Sequence, residues 1–230
     1  KKENNFKNVY DIKDFNILSV TRLDSNDAYK GIDTMIRCLP LISKIVTNLK
    51  YTVIGKGNDL ARLKNLAKEL TVEKYIDFKG FVDFIEPYYC YCDVFSLPSK
   101  GEGFGIVYIE AMNYKKPCIA CDEGGQTDVV IHEKTGCLCP YGDINRLSEN
   151  IIKLYMILGE LFNIHINSTM TNKICGSEQQ VIIKCLTLVK SLKIHSVLNC
   201  DQNIRKQFYF VVFPLNTDCN RIAIYFFKKK

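Results

Sequence analysis

Residues 98–112 read Pro98-Ser99-Lys100-Gly101-Glu102-Gly103-Phe104-Gly105-Ile106-Val107-Tyr108-Ile109-Glu110-Ala111-Met112. The apolar run Val94 to Leu97 ends just before this stretch, glycines 101, 103 and 105 fill a tight turn, and a helix is predicted to begin near Gly105. Strand, turn and helix follow one another directly. Glycine lets a backbone approach a ligand closely, and the unpaired N–H groups and macrodipole of a helix N-terminus favour an anion such as phosphate.

Outward from this unit the same alternation repeats. Candidate strands are Ile17 to Val20, Tyr51 to Ile54, Tyr75 to Phe78, Val94 to Leu97, Cys118 to Cys121 and Gly136 to Cys139. Between them lie candidate helices at Ile32 to Ile45, Asp59 to Leu70, Phe84 to Tyr91, Phe104 to Asn113, Thr127 to Ile131 and Ile144 to Met156. Asn58, Asp83 and Asp143 stand at expected N-caps, and Pro98, Pro117 and Pro140 punctuate strand edges. Short apolar runs alternating with amphipathic helical segments predict an α/β fold: a Rossmann-like, doubly wound parallel sheet.

The regularity decays after about residue 158, where the remaining stretch holds only Gly159, Gly176 and Pro214 as turn formers. Gln180 to Leu192 reads as a helix and Gln207 to Phe213 as a strand. The expected organisation is a domain over 1–158 and a C-terminal tail over 159–230, to which the residues assign no function.

Chemistry concentrates at two places. In the 98–112 stretch, Glu110 falls roughly 7.5 Å along the helix at ~1.5 Å per residue, about the reach from a pyrophosphate to its ribose. A carboxylate there accepts two hydrogen bonds from a vicinal diol, whereas Glu102, in the turn, faces a sugar beyond the phosphates. The competing reading makes Glu102 a solvated loop residue and Glu110 a surface helix position. The second place is Ser19-Val20-Thr21-Arg22-Leu23 followed by Tyr29-Lys30-Gly31, which puts two cations in the loop after the first strand. In an open α/β sheet the ligand crevice lies beyond the carboxyl ends of the strands. Arg22 can fork onto phosphate oxygens and Lys30 can add a mobile point charge, although a loop cation is commonly just solvated.

Two glycine pairs compete for the ligand. Gly55-Lys56-Gly57 lacks the third glycine of a dinucleotide fingerprint and reads better as a turn into a helix, and Gly124-Gly125-Gln126 is a candidate wall of a sugar pocket. Neither has the Gly-Lys-Ser/Thr ending of a P-loop.

Composition bounds the remaining options. At 47% hydrophobic residues the chain has ample material for a core, and no apolar stretch approaches the roughly 18 residues of a membrane span. With no apolar leader at Lys1-Lys2-Glu3-Asn4-Asn5, a soluble, cytoplasmic protein is expected. The net charge of +6 belongs to the tail, because residues 1–158 carry 21 basic and 21 acidic side chains against 10 and 4 in 159–230. Such a tail allows peripheral contact with an anionic membrane, while nucleic-acid binding would rest on that charge alone with no recognition module, and is not expected. Eleven cysteines, an odd number, with Cys90/Cys92 and Cys137/Cys139 one residue apart, fit buried small hydrophobes better than disulfides or zinc ligands.

Taken in order, Ser19 to Leu23, Lys30-Gly31, Val53 to Gly57, Phe78 to Val82, Cys92 to Ser99, Glu102 through Glu110, Gly124-Gly125 and Thr135-Gly136 resemble the donor-binding, C-terminal domain of the family-four retaining glycosyltransferases, one half of the glycosyltransferase B fold. The resemblance covers roughly residues 15 to 158. It implies transfer of a hexose-type sugar from a nucleoside-diphosphate sugar with retention, with Arg22 and Lys30 on the diphosphate, Glu102 on the sugar and Glu110 on the ribose. It further implies that Gly103, Phe104, Gly105 and the amide of Ile106 border sugar and phosphate, that Phe81 and Val82 approach the base, and that neither a catalytic metal nor a cofactor is needed. No Asp-X-Asp triplet occurs in the first 158 residues.

The sequence departs from the family at both ends. Only about 15 residues precede the first strand, where family members carry an acceptor-binding Rossmann domain, and the family's C-terminal helix is not recognisable in 159–230. The expectation is a donor half completed by an acceptor-domain partner chain or by further sequence. A non-catalytic nucleotide-sugar-binding or scaffold subunit is the alternative.

Overall fold

The computed structural model describes residues 6–171, 208–214 and 222–228. Six strands form one parallel sheet: β1 (Phe15–Val20), β2 (Leu49–Ile54), β3 (Ile76–Gly80), β4 (Val94–Leu97), β5 (Cys118–Cys121) and β6 (Gly136–Cys139), ordered β3-β2-β1-β4-β5-β6. The central strands β4 and β5 are buried throughout, as helices covering a parallel sheet on both faces require, whereas the edge strand β3 alternates half-buried with exposed residues. Ile17 and Leu18 of β1, Val53 of β2, Phe95 of β4 and Ile119 and Ala120 of β5 are wholly buried.

Helices α1 (Ile32–Ile42), α2 (Leu60–Glu69), α3 (Glu86–Tyr91), α4 (Ile106–Asn113), α5 (Gln126–Val129) and α6 (Ile144–Thr171) follow in order. Ile32, Met35, Ile36 and Leu39 bury one stripe of α1 at the spacing a 3.6-residue period requires. Right-handed crossovers carry the chain from β1 outward to β3, then from β4 outward to β6, so helices end on opposite faces. The buried Tyr51 hydroxyl lies 2.9 Å from Ser19 Oγ, which donates to the Ser96 carbonyl, so three central strands share one satisfied polar chain.

Boundaries differ from expectation where local chemistry intervenes. Helix α1 stops at Ile42 rather than Ile45: Pro40 is accommodated inside it, and after Ile42 the chain tightens into a turn in which Ile45 donates to the Ile42 carbonyl at 3.0 Å. Helix α4 starts at Ile106, leaving Phe104 in the turn, and α6 continues to Thr171 rather than ending at Met156. That helix contains no proline, and its single Gly159 costs about 1 kcal/mol without breaking it. Asp143 caps α6 as expected, accepting the Arg146 N–H at 2.9 Å. Asn58 does not cap α2: Asp59 takes that position and Asn58 Oδ1 accepts the Ser25 N–H at 2.7 Å. Asp83 likewise stands outside α3, whose N-cap is Ile85 and whose first turn holds Pro87.

The buried cysteines Cys38, Cys92, Cys118, Cys121, Cys137 and Cys139 pack as small apolar residues, and burial pushes the Cys38 thiol up to about 12. The chain divides into two compact units, Lys1–Tyr155 and Met156–Lys230, and residue 158 lies inside α6. In the second unit β7 (Phe208–Pro214) overlaps the strand read at Gln207 to Phe213 and pairs antiparallel with β8 (Ile222–Lys228), which the sequence pattern had not singled out. The helix read at Gln180 to Leu192 lies outside the described residues.

Candidate functional site

The strand order reverses between β1 and β4, the position at which an open α/β sheet opens a crevice at its carboxyl edge. The loop leaving β1 carries Arg22 and Lys30, and the loop leaving β4 carries Glu102. The chain therefore brings both charge-bearing loops to one place. They are joined by a backbone hydrogen bond from Lys100 to the Tyr29 carbonyl at 2.8 Å. Gly31, at φ 74°, makes this approach feasible, because a Cβ there would stand 2.2 Å from the Pro98 carbonyl oxygen.

Across this junction Lys30 Nζ donates to both Glu102 oxygens, at 2.9 and 2.8 Å, with side chains only 15% and 12% exposed. Ser99 Oγ donates to Glu102 Oε1 at 2.8 Å. The Glu102 backbone is held as firmly: its N–H donates to Gln126 Oε1 at 2.8 Å and its carbonyl accepts from Gly125 at 2.9 Å. Gln126 Nε2 completes the loop with a 3.0 Å bond to the Ser99 carbonyl. Below the turn the buried Tyr108 donates to the Leu97 carbonyl, tying α4 to the end of β4. Burial raises the Tyr108 phenol far above its usual value, so it remains a donor.

Beside the pair opens a cleft of about 280 Å³ lined by Val20, Thr21, Lys30, Leu97, Glu102 and the segment Phe104 to Val107. Phe104 and Ile106 are 60% and 63% exposed, apolar surface ready to cover a ligand. Lys30, Glu102, Phe104, Gly105 and Ile106 all line this one cavity, and Gly103 sits exposed in the intervening turn.

Arg22 borders an adjoining pocket that shares Lys30; its guanidinium is 78% exposed and pairs with Asp27 at 3.1 Å. Glu110 is exposed on α4, outside the cleft lining, and accepts a hydrogen bond from Tyr89 of α3 at 2.8 Å. Burial, reinforced by that carboxylate, pushes the Tyr89 phenol far up, so Tyr89 stays protonated and orients Glu110. Phe81 and Val82 follow β3, two strands from β1; Phe81 is exposed and carries the Lys56 ammonium 5.3 Å from its ring centre. Among the described residues no group of three or more His, Cys, Asp or Glu side chains is arranged to hold a metal ion, and no helix is long and apolar enough to cross a membrane.

Sequence reasoning passed over Ser99, Asp27 and Tyr89, and took Gln126 only as part of a candidate pocket wall. Only Gln126 had a local signal: it follows two glycines, which mark a close backbone approach, and its side chain both donates and accepts. The approach is real, since a Cβ on Gly125 would stand 2.1 Å from the Gly103 carbonyl oxygen.

Comparison with known proteins gives a consistent answer. Residues 1–157 match the family model described as glycosyl transferases group 1. An uncharacterized glycosyltransferase of Haemophilus influenzae is 32% identical over 136 residues, 59% of this chain and 38% of that protein. A GDP-mannose-dependent alpha-(1-6)-phosphatidylinositol monomannoside mannosyltransferase of Mycobacterium tuberculosis is 31% identical over 134 residues, 54% of this chain and 35% of that one. Among solved structures, Anabaena Alr3699/HepE in complex with UDP superposes with a TM-score of 0.57 at 25% identity, covering 62% of this chain and 39% of that one; the same protein is also solved with UDP-glucose. The chain spans little more than a third of the length of each of these relatives. With its matched motifs, its 321456 parallel sheet and its charged switch-point cleft, this chain belongs to the glycosyl transferases group 1, the family-four glycosyltransferases, and carries the Rossmann-like half of their glycosyltransferase B fold that corresponds to the C-terminal, donor-binding domain.

Proposed function

We propose that this chain binds a nucleoside-diphosphate sugar at the β1/β4 junction and supplies the donor half of a retaining hexosyl transfer. The observation that carries this reading is the Lys30–Glu102 pair bridging the switch point beside an open cleft. Lys30, with Arg22 behind it, holds the diphosphate; Glu102 contacts the transferred sugar; Glu110, oriented by Tyr89, takes the ribose hydroxyls. The Gly103 to Ile106 segment borders sugar and phosphate, and Phe81 and Val82 flank the base. The donor breaks at the bond between its anomeric carbon and the diphosphate oxygen, and the acceptor attacks from the same face. Fixed positive groups aimed at the departing diphosphate lower that barrier without a metal ion.

An acceptor-binding domain, on this polypeptide or a partner chain, completes the enzyme, since closure over the donor excludes water and positions the acceptor. The reading places the reaction in the cytoplasm, with the basic 159–230 segment available to an anionic membrane surface. Thermal unfolding with a panel of nucleoside-diphosphate sugars, with and without EDTA, tests the donor site. A ligand at 100 times its Kd adds ~2.7 kcal/mol to stability, and the stabilisation is expected to survive chelator. No shift with any donor would refute the reading, and stabilisation lost in EDTA and regained with magnesium would refute its metal-free form.

A further inference from the structure

The role of Glu102 depends on where its carboxylate points, and that in turn depends on the 99–102 turn. The space beside Gly101 and Gly103 is open, since a Cβ added there would meet nothing within 4 Å, but a Cβ on Gly124 would stand 2.9 Å from Gly101 Cα and one on Gly125 2.1 Å from the Gly103 carbonyl oxygen. The turn is thus shaped by a segment some two dozen residues away. Gln126, the first residue of α5, is fully buried. Both halves of its amide are spent on the turn: Oε1 receives the Glu102 N–H at 2.8 Å and Nε2 donates to the Ser99 carbonyl at 3.0 Å. Gly125 adds the bond to the Glu102 carbonyl at 2.9 Å. A buried primary amide used this way is specific, because only a side chain with a donor and an acceptor at that spacing satisfies both backbone atoms. An apolar replacement strands a buried N–H and a buried carbonyl at once.

The geometry points to Gln126 as a positioning residue for sugar recognition, fixing the Glu102 carboxylate against Lys30 and Ser99 so that it meets the sugar and not the nucleotide. This inference rests on the donor-binding reading above. Gln126 does not itself line the cleft, and its side chain reaches that lining through its hydrogen bond to Glu102. Loss of Gln126 should therefore remove the same quantity that loss of Glu102 removes: the extra affinity for the nucleoside-diphosphate sugar over the bare nucleoside diphosphate.

The test is titration calorimetry of both ligands on wild type, Gln126→Leu, Glu102→Ala and the double variant, with folding checked by near-ultraviolet circular dichroism. Gln126→Leu is expected to cut the sugar advantage roughly tenfold, leave nucleoside-diphosphate affinity within about twofold, and add little to Glu102→Ala in the double variant. Gln126→Glu guards against a folding failure. Its buried carboxyl, once protonated, again offers a donor and an acceptor, so the sugar advantage should return as the pH is lowered, which Gln126→Leu cannot reproduce. Wild type that binds neither ligand would refute the donor reading itself. Wild type that favours the sugar nucleotide, with that preference intact in Gln126→Leu or unaltered by pH in Gln126→Glu, would overturn the role of Gln126 alone. Equal loss of both ligands would assign Gln126 to general folding and overturn it too.

Discussion

The loops leaving β1 and β4 start from adjacent strands, and the acid–base pairs they hold are built in opposite ways. Lys30 and Glu102 face each other across the two loops, each less than one sixth exposed, and Glu102 is additionally tied by Ser99, Gly125 and Gln126. Arg22 and Asp27 lie within one loop, with the Arg22 side chain 78% exposed and that of Asp27 10%. A pair whose cation stands in water contributes little, about 0 to 1 kcal/mol, and is screened by salt. Breaking a desolvated pair of the first kind leaves a charge without its partner in low dielectric. The first pair is therefore held in place by several partners, while the Arg22 side chain has water on most of its surface. On the proposed donor reading, this difference would set the acid before the sugar arrives and leave the outer cation free to exchange its carboxylate for a ligand anion.

Lys30→Ala should break that comparison most severely. Removing the ammonium takes two donors from the Glu102 carboxylate and leaves it the Ser99 hydroxyl. Stability should fall by ~1 to 3 kcal/mol and donor affinity by about 10- to 100-fold. Calorimetric unfolding and titration read both, and a variant as stable as wild type would show that the pair is not desolvated.

Arg22→Ala should separate the two quantities. Because the side chain is mostly in water, unfolding should shift by no more than about 0.5 kcal/mol, while loss of one charge-assisted contact lowers donor affinity by ~10-fold. If stability drops as far as in Lys30→Ala, the two loops are not built differently.

The smallest effect is expected from Asp27→Asn, which releases Arg22 from its intramolecular partner. Donor affinity should rise by up to about fivefold at low ionic strength, the value of an ion pair whose cation stands in water, and the gain should fade as salt is added. A fall in affinity at every ionic strength would mean that Asp27 holds Arg22 in the binding position instead of competing for it.

Much of this architecture was legible in residue order alone. Strands β4, β5 and β6 lie where their apolar runs predicted, and the glycine turn with Glu102 was recognisable from Pro98 to Gly105. The misreadings were local competitions. Asn58 and Asp59 both qualify as caps, and only the position of Ser25 across the loop decides that Asn58 turns away. Neither Pro40 inside α1 nor Gly159 inside α6 ends its helix, because the proline removes one hydrogen bond to the turn before it and the glycine only costs entropy.

By itself, then, the sequence determined the alternation of strands and helices in residues 15–158, the turn that carries Glu102 and the family the chain resembles, since apolar periodicity and glycine placement act over a few residues. Only the tertiary structure decided which groups meet. Lys30 and Glu102 are 72 residues apart, and Gln126 lies 24 from the amide it receives. No local pattern names such partners. They come together because right-handed crossovers set β1 beside β4 and fold the β5–α5 loop beneath the turn, and the buried polar atoms gathered there had to find one another.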